Sequence, residues 1–118
     1  MLLSLSHLTI LPTVLRDADR LEAVLIARGL VPSRGGNLPS FPPERQPVEL
    51  QVQLADGLQL GWQRQSDGSL GLVCDLQRLS RSQRLERLLG EITRAYAARK
   101  ALDEAAEQLP MAQIELSA

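Results

Sequence analysis

The chain offers few side chains suited to chemistry. It has one His (His7), one Cys (Cys74), one Trp (Trp62), one Tyr (Tyr96), one Phe (Phe41) and one Lys (Lys100). A triad relying on imidazole, a multi-histidine metal site or a cysteine cluster cannot be built from that inventory within one chain. His7 has no second ligand-type cluster and reads as structural or surface. Cys74 alternates with Leu72 and Leu76, so it reads as a small buried hydrophobe and not as a nucleophile. Asp75 faces the other way, with no carboxylate partner in sight. Gly35-Gly36 is not a phosphate loop, because no helix pattern opens after it and no Lys-Ser/Thr follows. A ligand-binding or catalytic cleft would have to draw on His7, Asp75, Tyr96 and Arg99, which converge if the first strand neighbours the third strand of the hairpin series. No metal and no cofactor is expected.

What remains is charge. Residues 77–100 carry seven basic side chains and two acidic ones, whereas residues 101–118 carry four acids and no base. Basic residues at a helix start oppose the macrodipole, at about a few tenths to one kcal/mol each. Arg78, Arg81, Arg84 and Arg87 recur every three residues and would share a broad helix face. The functional reading is a patch that meets an acidic protein or a phosphate. The bland reading is a solvated face with Arg87 and Glu91 as an i,i+4 pair. The net charge of −1 supplies no global field toward nucleic acid or an anionic membrane. Nucleic acid is not expected as a partner, since Trp62 sits on an apolar strand face and offers no stacking platform.

These residues must be positioned by a small set of elements. The length of 118 residues suits one domain, 1–118. Hydrophobic residues make up 44% and aromatics only 3%, so the core must be aliphatic. Residues 6–15 favour a strand, which Pro12 confines to an edge or a bulge. Asp17 precedes a helical pattern through Leu21, Val24, Leu25 and Arg28, and Gly29 stops it. Residues 32–47 hold five prolines and two glycines, which predicts a loop. Val48, Leu50, Val52 and Leu54 then alternate with polar residues. Asp56-Gly57 turns the chain into Leu58, Leu60 and Trp62, and a second turn at 66–69 leads to Leu70, Leu72, Cys74 and Leu76. Ser80 with Gln83 fits a capping box for a helix over 80–108, with Leu85, Leu88, Leu89, Ile92, Ala95, Tyr96, Leu102 and Ala106 on one stripe. Pro110 ends it, and Met111, Ile114 and Leu116 suggest a last strand. The expected fold is α+β: an antiparallel sheet of about five strands with two helices on one face, in the order β-α-β-β-β-α-β, related to the ferredoxin-like arrangement.

The apolar start, Met1 to Pro12, lacks the basic n-region and cleavage site of a signal peptide. No stretch reaches the roughly 18 apolar residues of a membrane span. A single cysteine needs no oxidising compartment. The expected setting is therefore soluble and cytoplasmic.

Several segments together resemble a known family. Ser6-His7-Leu8 opens the first strand, and Arg16-Asp17 opens the first helix. Leu60-Gly61-Trp62 is followed by Asp67-Gly68-Ser69 and Leu72-Val73-Cys74-Asp75, and Ile92-Thr93-Arg94-Ala95-Tyr96-Ala97 lies in the long helix. The set resembles the conserved plastid reading-frame family thirty-five of the Ycf series. Leu8, Leu70, Cys74 and Ala98 depart from that family's pattern. The resemblance implies a cyanobacterial cytosol or plastid stroma, and it implies no activity and no catalytic residues. The expected function is a non-enzymatic interaction or assembly factor for a larger, photosynthetic complex, with Arg78, Arg81, Arg84 and Arg87 meeting an acidic protein partner. The alternatives are a small ligand-binding regulator or enzyme with a cleft between sheet and loop, and a homo-oligomeric structural protein.

Overall fold

The computed structural model describes residues 8–39 and 45–108. In chain order these form β1 (Leu8–Leu11), α1 (Ala18–Ala27), β2 (Ser33–Arg34), β3 (Asn37–Pro39), β4 (Arg45–Pro47), β5 (Leu50–Gln53), β6 (Gln59–Arg64), β7 (Leu70–Asp75), α2 (Leu76–Ser80) and α3 (Gln83–Gln108). The alternating apolar residues of β5, β6 and β7 build the expected meander, with Leu50 opposite Trp62 and Trp62 opposite Leu72. β1 pairs with β7 and β2 with β5, so the strand order is β1-β7-β6-β5-β2 and every pairing is antiparallel. β1 is an edge strand, as Pro12 just beyond it requires. Within 32–47, read from sequence as a loop, lie three short strands. β2 extends the edge of the main sheet, and β3 pairs with β4 in a separate ribbon. Prolines at 39 and 47 are tolerated because neither strand is interior to a sheet.

α1 starts where the sequence places it. Asp17 Oδ1 accepts the N–H groups of Asp19 at 2.9 Å and Arg20 at 3.1 Å, satisfying two orphan donors of the first turn. Gly29 takes a φ of +84°, the left-handed conformation that closes such a helix. The second helical region differs from expectation. The Asp75 carboxylate accepts the Gln77 N–H at 3.0 Å and so opens α2 directly at the end of β7. Leu76, expected to continue the inward strand face, therefore sits in the first turn of α2 and is 44% exposed. α3 begins after Ser82, whose Oγ accepts the Leu85 N–H at 3.0 Å, and not at a Ser80–Gln83 box.

α1 and α3 cover one face of the sheet. Leu21, Leu25, Leu85, Ile92 and Tyr96 pack with Leu50, Leu60, Trp62, Leu70, Leu72 and Cys74. Leu54 and Leu88, expected in the core, are only half-buried against it. The opposite face holds a smaller cluster of Leu38, Val48 and Val73. Val48 belongs there because the chain departs from regular pairing between β4 and β5. The Val48 N–H donates to Gly36 O at 3.0 Å, and the Glu49 N–H to Trp62 O at 2.8 Å. β7 is consequently buried on both faces, and Val73 is fully enclosed. Gly61 makes the second cluster fit: a Cβ there would lie 2.7 Å from Val48 Cγ1 and 2.8 Å from Leu38 Cδ1.

α3 outruns the sheet it packs on. Leu102, expected on the buried stripe, is 69% exposed, and Ala106 is exposed as well. The expected strand at 111–116, and His7, lie outside the described residues. No helix among the described residues is long and apolar enough to cross a membrane.

Candidate functional site

Tyr96 lies on the buried stripe of α3 and points its hydroxyl at the start of α1. Tyr96 Oη accepts the backbone N–H of Arg16 at 3.1 Å and of Asp17 at 2.8 Å. The β6–β7 turn joins from the other side. Asp67 Oδ1 accepts the Ser69 N–H at 2.9 Å and the Ser69 hydroxyl at 2.6 Å, which shapes the turn and holds the Asp67 carboxyl below its usual pKa. Arg16 donates to Asp67 O at 2.7 Å, and Arg64 Nη1 donates to Arg16 O at 2.5 Å and Gly68 O at 2.9 Å. Gly68, with a φ of +89°, leaves room for the Arg16 guanidinium. Three segments that carry the family resemblance, Arg16-Asp17, Asp67-Gly68-Ser69 and the stretch around Tyr96, thus meet at one place.

Beside this junction runs an open groove of about 640 Å³. Arg16, Arg20, Arg34, Arg64 and Lys100 line it, together with Asp17, Asp19, Glu49 and Tyr96. Most of its cations are already balanced. Arg64 holds Glu49 by two parallel bonds of 2.9 Å, which lower the Glu49 pKa. Arg34 bonds Asp19 and Glu22. Arg20 bonds Asp103 at 3.1 Å and lies over the Tyr96 ring, 5.5 Å from its centroid. Among the described residues, neither Arg16 nor Lys100 has a carboxylate within ion-pairing distance. Sequence reasoning missed this groove, because its cations come from four separate segments of the chain. The only local sign was Arg16-Asp17 at a helix start.

The arginines singled out from the sequence lie elsewhere and do not share one helix. Arg78 belongs to α2, Arg81 to the turn after it, and Arg84 and Arg87 to α3. All four are exposed. Arg78 reaches Asp56 at 3.6 Å. Arg87 does not take Glu91 as its i,i+4 partner: Glu91 is bonded by Arg28 at the end of α1. Arg81, Arg84 and Arg87 have no carboxylate partner among the described residues. Arg84 also borders a second groove of about 540 Å³, floored by Leu30, Leu54, Leu58, Leu85 and Leu88.

Of the residues considered for a catalytic cleft, Asp75 does not gather with Tyr96 and Arg99. Asp75 pairs opposite Leu8 at one end of β7, whereas Leu15, next to the Tyr96 contact, meets Leu70 at the other end. Asp75 is engaged as the cap of α2, and Arg99 pairs with Asp103 at 3.8 Å. Cys74 is fully buried, and burial together with the neighbouring Asp75 charge pushes its thiol pKa up to about 11. Such a thiol is inert as a nucleophile at neutral pH. No group of three or more potential metal ligands occurs among the described residues.

Fold and surface together define an α+β domain with helices on one face of an antiparallel sheet and two differently charged grooves. Residues 29–110 match the model of a family described as a protein of unknown function, DUF1257, and the chain belongs to that family. No curated protein and no solved structure matches it.

Proposed function

We propose that the chain is a non-enzymatic interaction module, an assembly factor that receives an acidic protein partner on the arginine edge at the α2–α3 junction. One observation carries this reading. Arg28, Arg34 and Arg64 find carboxylates within the chain, while Arg81, Arg84 and Arg87 stand exposed without one among the described residues. Uncompensated surface charge adds little to stability, but it steers and selects partners of opposite sign. The leucine-floored groove beside Arg84 supplies the apolar area that a charged rim alone lacks. The resemblance to the plastid reading-frame family supports a photosynthetic complex in a cyanobacterial cytosol or plastid stroma as the setting.

The test is affinity capture from a cyanobacterial lysate at low and at physiological salt, with the parent chain and an Arg81→Gln, Arg84→Gln, Arg87→Gln variant. The parent should retain a stoichiometric acidic protein, more tightly at low salt, and the variant should lose it with an unchanged circular dichroism spectrum. Equal retention by both, or no stoichiometric partner at either salt, overturns the proposal.

A further inference from the structure

We propose that the groove beside Tyr96 binds a small phosphomonoester, with Arg16, Lys100 and the Tyr96 hydroxyl as its anchoring groups. The Tyr96 side chain is 95% buried, being only 5% exposed, and its oxygen already accepts two backbone N–H groups. Its own proton has no acceptor among the described residues, although a phenolic hydroxyl that is both buried and a donor normally finds one. The groups that its oxygen and its ring contact are donors or cations: the N–H of Arg16, the N–H of Asp17 and the guanidinium of Arg20 over the ring. What such a hydroxyl lacks is an anionic acceptor arriving from the groove.

Charge narrows the ligand. Arg20, Arg34 and Arg64 are neutralised by Asp103, by Asp19 and Glu22, and by Glu49. Arg16 donates to a neutral carbonyl, Asp67 O, and its charge acts on the Asp67 carboxyl only from beyond ion-pairing distance, while Lys100 has no carboxylate partner among the described residues. Two cations without an ion-pair partner among the described residues match a dianion better than a single carboxylate. A phosphomonoester carries about −1.5 to −2 at neutral pH and offers three strong acceptor oxygens. The groove volume of about 640 Å³ exceeds what a bare phosphate needs and lies in the range of small-molecule sites, so the phosphate belongs to a larger molecule. This site is separate from the arginine edge: Arg84 and Tyr96 are twelve residues apart on α3, about 18 Å along the axis.

Binding is read by calorimetry and by backbone amide shifts, at constant ionic strength, with inorganic phosphate, a nucleoside monophosphate and acetate as probes. The nucleoside monophosphate should bind most tightly and acetate not measurably. The amide signals of Arg16 and Asp17 should move, while those of Arg84 and Arg87 stay. Lys100→Ala, an exposed position whose loss leaves the fold intact, should weaken binding at least tenfold. Tyr96→Phe should weaken it as well, and where that variant is unfolded the Lys100 result decides alone. Equal affinity in the parent and Lys100→Ala overturns the site. So do acetate binding as tight as phosphate binding, and shifts centred on Arg84 and Arg87. None of these outcomes bears on capture of a protein partner by the arginine edge.

Discussion

The Tyr96 hydroxyl oxygen stands 2.8 Å from the backbone nitrogen of Asp17, and so it ties the middle of α3 to the residue that caps α1. The cap is thereby satisfied twice: the Asp17 side chain serves the first turn of α1, and the Asp17 N–H is itself held by Tyr96. Tyr96→Phe keeps the ring and removes the acceptor of two N–H groups. It should cost about 1–3 kcal/mol in urea titration. Asp17→Ala, which deletes only the cap, should cost about 1 kcal/mol. A cost near zero for Tyr96→Phe would show that water replaces the hydroxyl.

Gly61 is a packing glycine. Adding a methyl group at 61 drives it into Leu38 and Val48, so Gly61→Ala should cost about 1–3 kcal/mol by overpacking. Leu38→Ala clears part of that space. The double variant should therefore lose less than the sum of the two single losses, measured as a double-mutant cycle. Strict additivity would place the second cluster elsewhere.

Cys74 should resist thiol reagents in the native state at pH 8, because it is fully buried and its pKa is pushed up to about 11. Labelling should become fast in denaturant, and its native rate should follow the global unfolding equilibrium. Rapid native labelling would show that β7 opens locally.

The Glu49–Arg64 pair contributes a pH-dependent share of stability. Arg64 holds the Glu49 carboxyl below its ordinary 4.5, so this contribution is complete above that pH and is lost as the pH falls through the folded-state value. Both side chains are more than a third exposed, which limits the effect to about 1 kcal/mol or less. Glu49→Gln removes the titration. The stability gap between parent and variant at pH 6 should shrink at pH 3, and a gap that stays constant or widens would contradict the pairing.

Along α3 the cost of truncation should fall with distance from the sheet. Leu88→Ala, at a half-buried site, should cost about 1–3 kcal/mol, less than a fully enclosed leucine. Leu102→Ala should stay within about half a kcal/mol, since that side chain is 69% exposed. A large loss at Leu102 would mean that another surface covers it.

What the sequence alone determined is what local chemistry decides. Asp17 and Gly29 bracket α1 because a carboxylate caps free N–H groups and glycine takes positive φ without strain. Leu50 and Val52, Leu60 and Trp62, and Leu70 and Leu72 announce the meander because side chains alternate across a strand. The same local view failed where a competing local partner or a distant contact won. Asp75, not Ser80, opened a helix, because a carboxylate at the end of β7 reaches the next free N–H groups first. Leu102 looked like core because its spacing is helical, yet the sheet ends before it. Only the tertiary structure decided that Val73 is enclosed by Leu38 and Val48, and that Glu91 serves Arg28 and not Arg87. Only the tertiary structure, too, brought Tyr96 to Arg16 across 80 residues of chain. Pattern and propensity act within a few residues, whereas ion-pair choice and groove lining depend on which segments the packed core brings together.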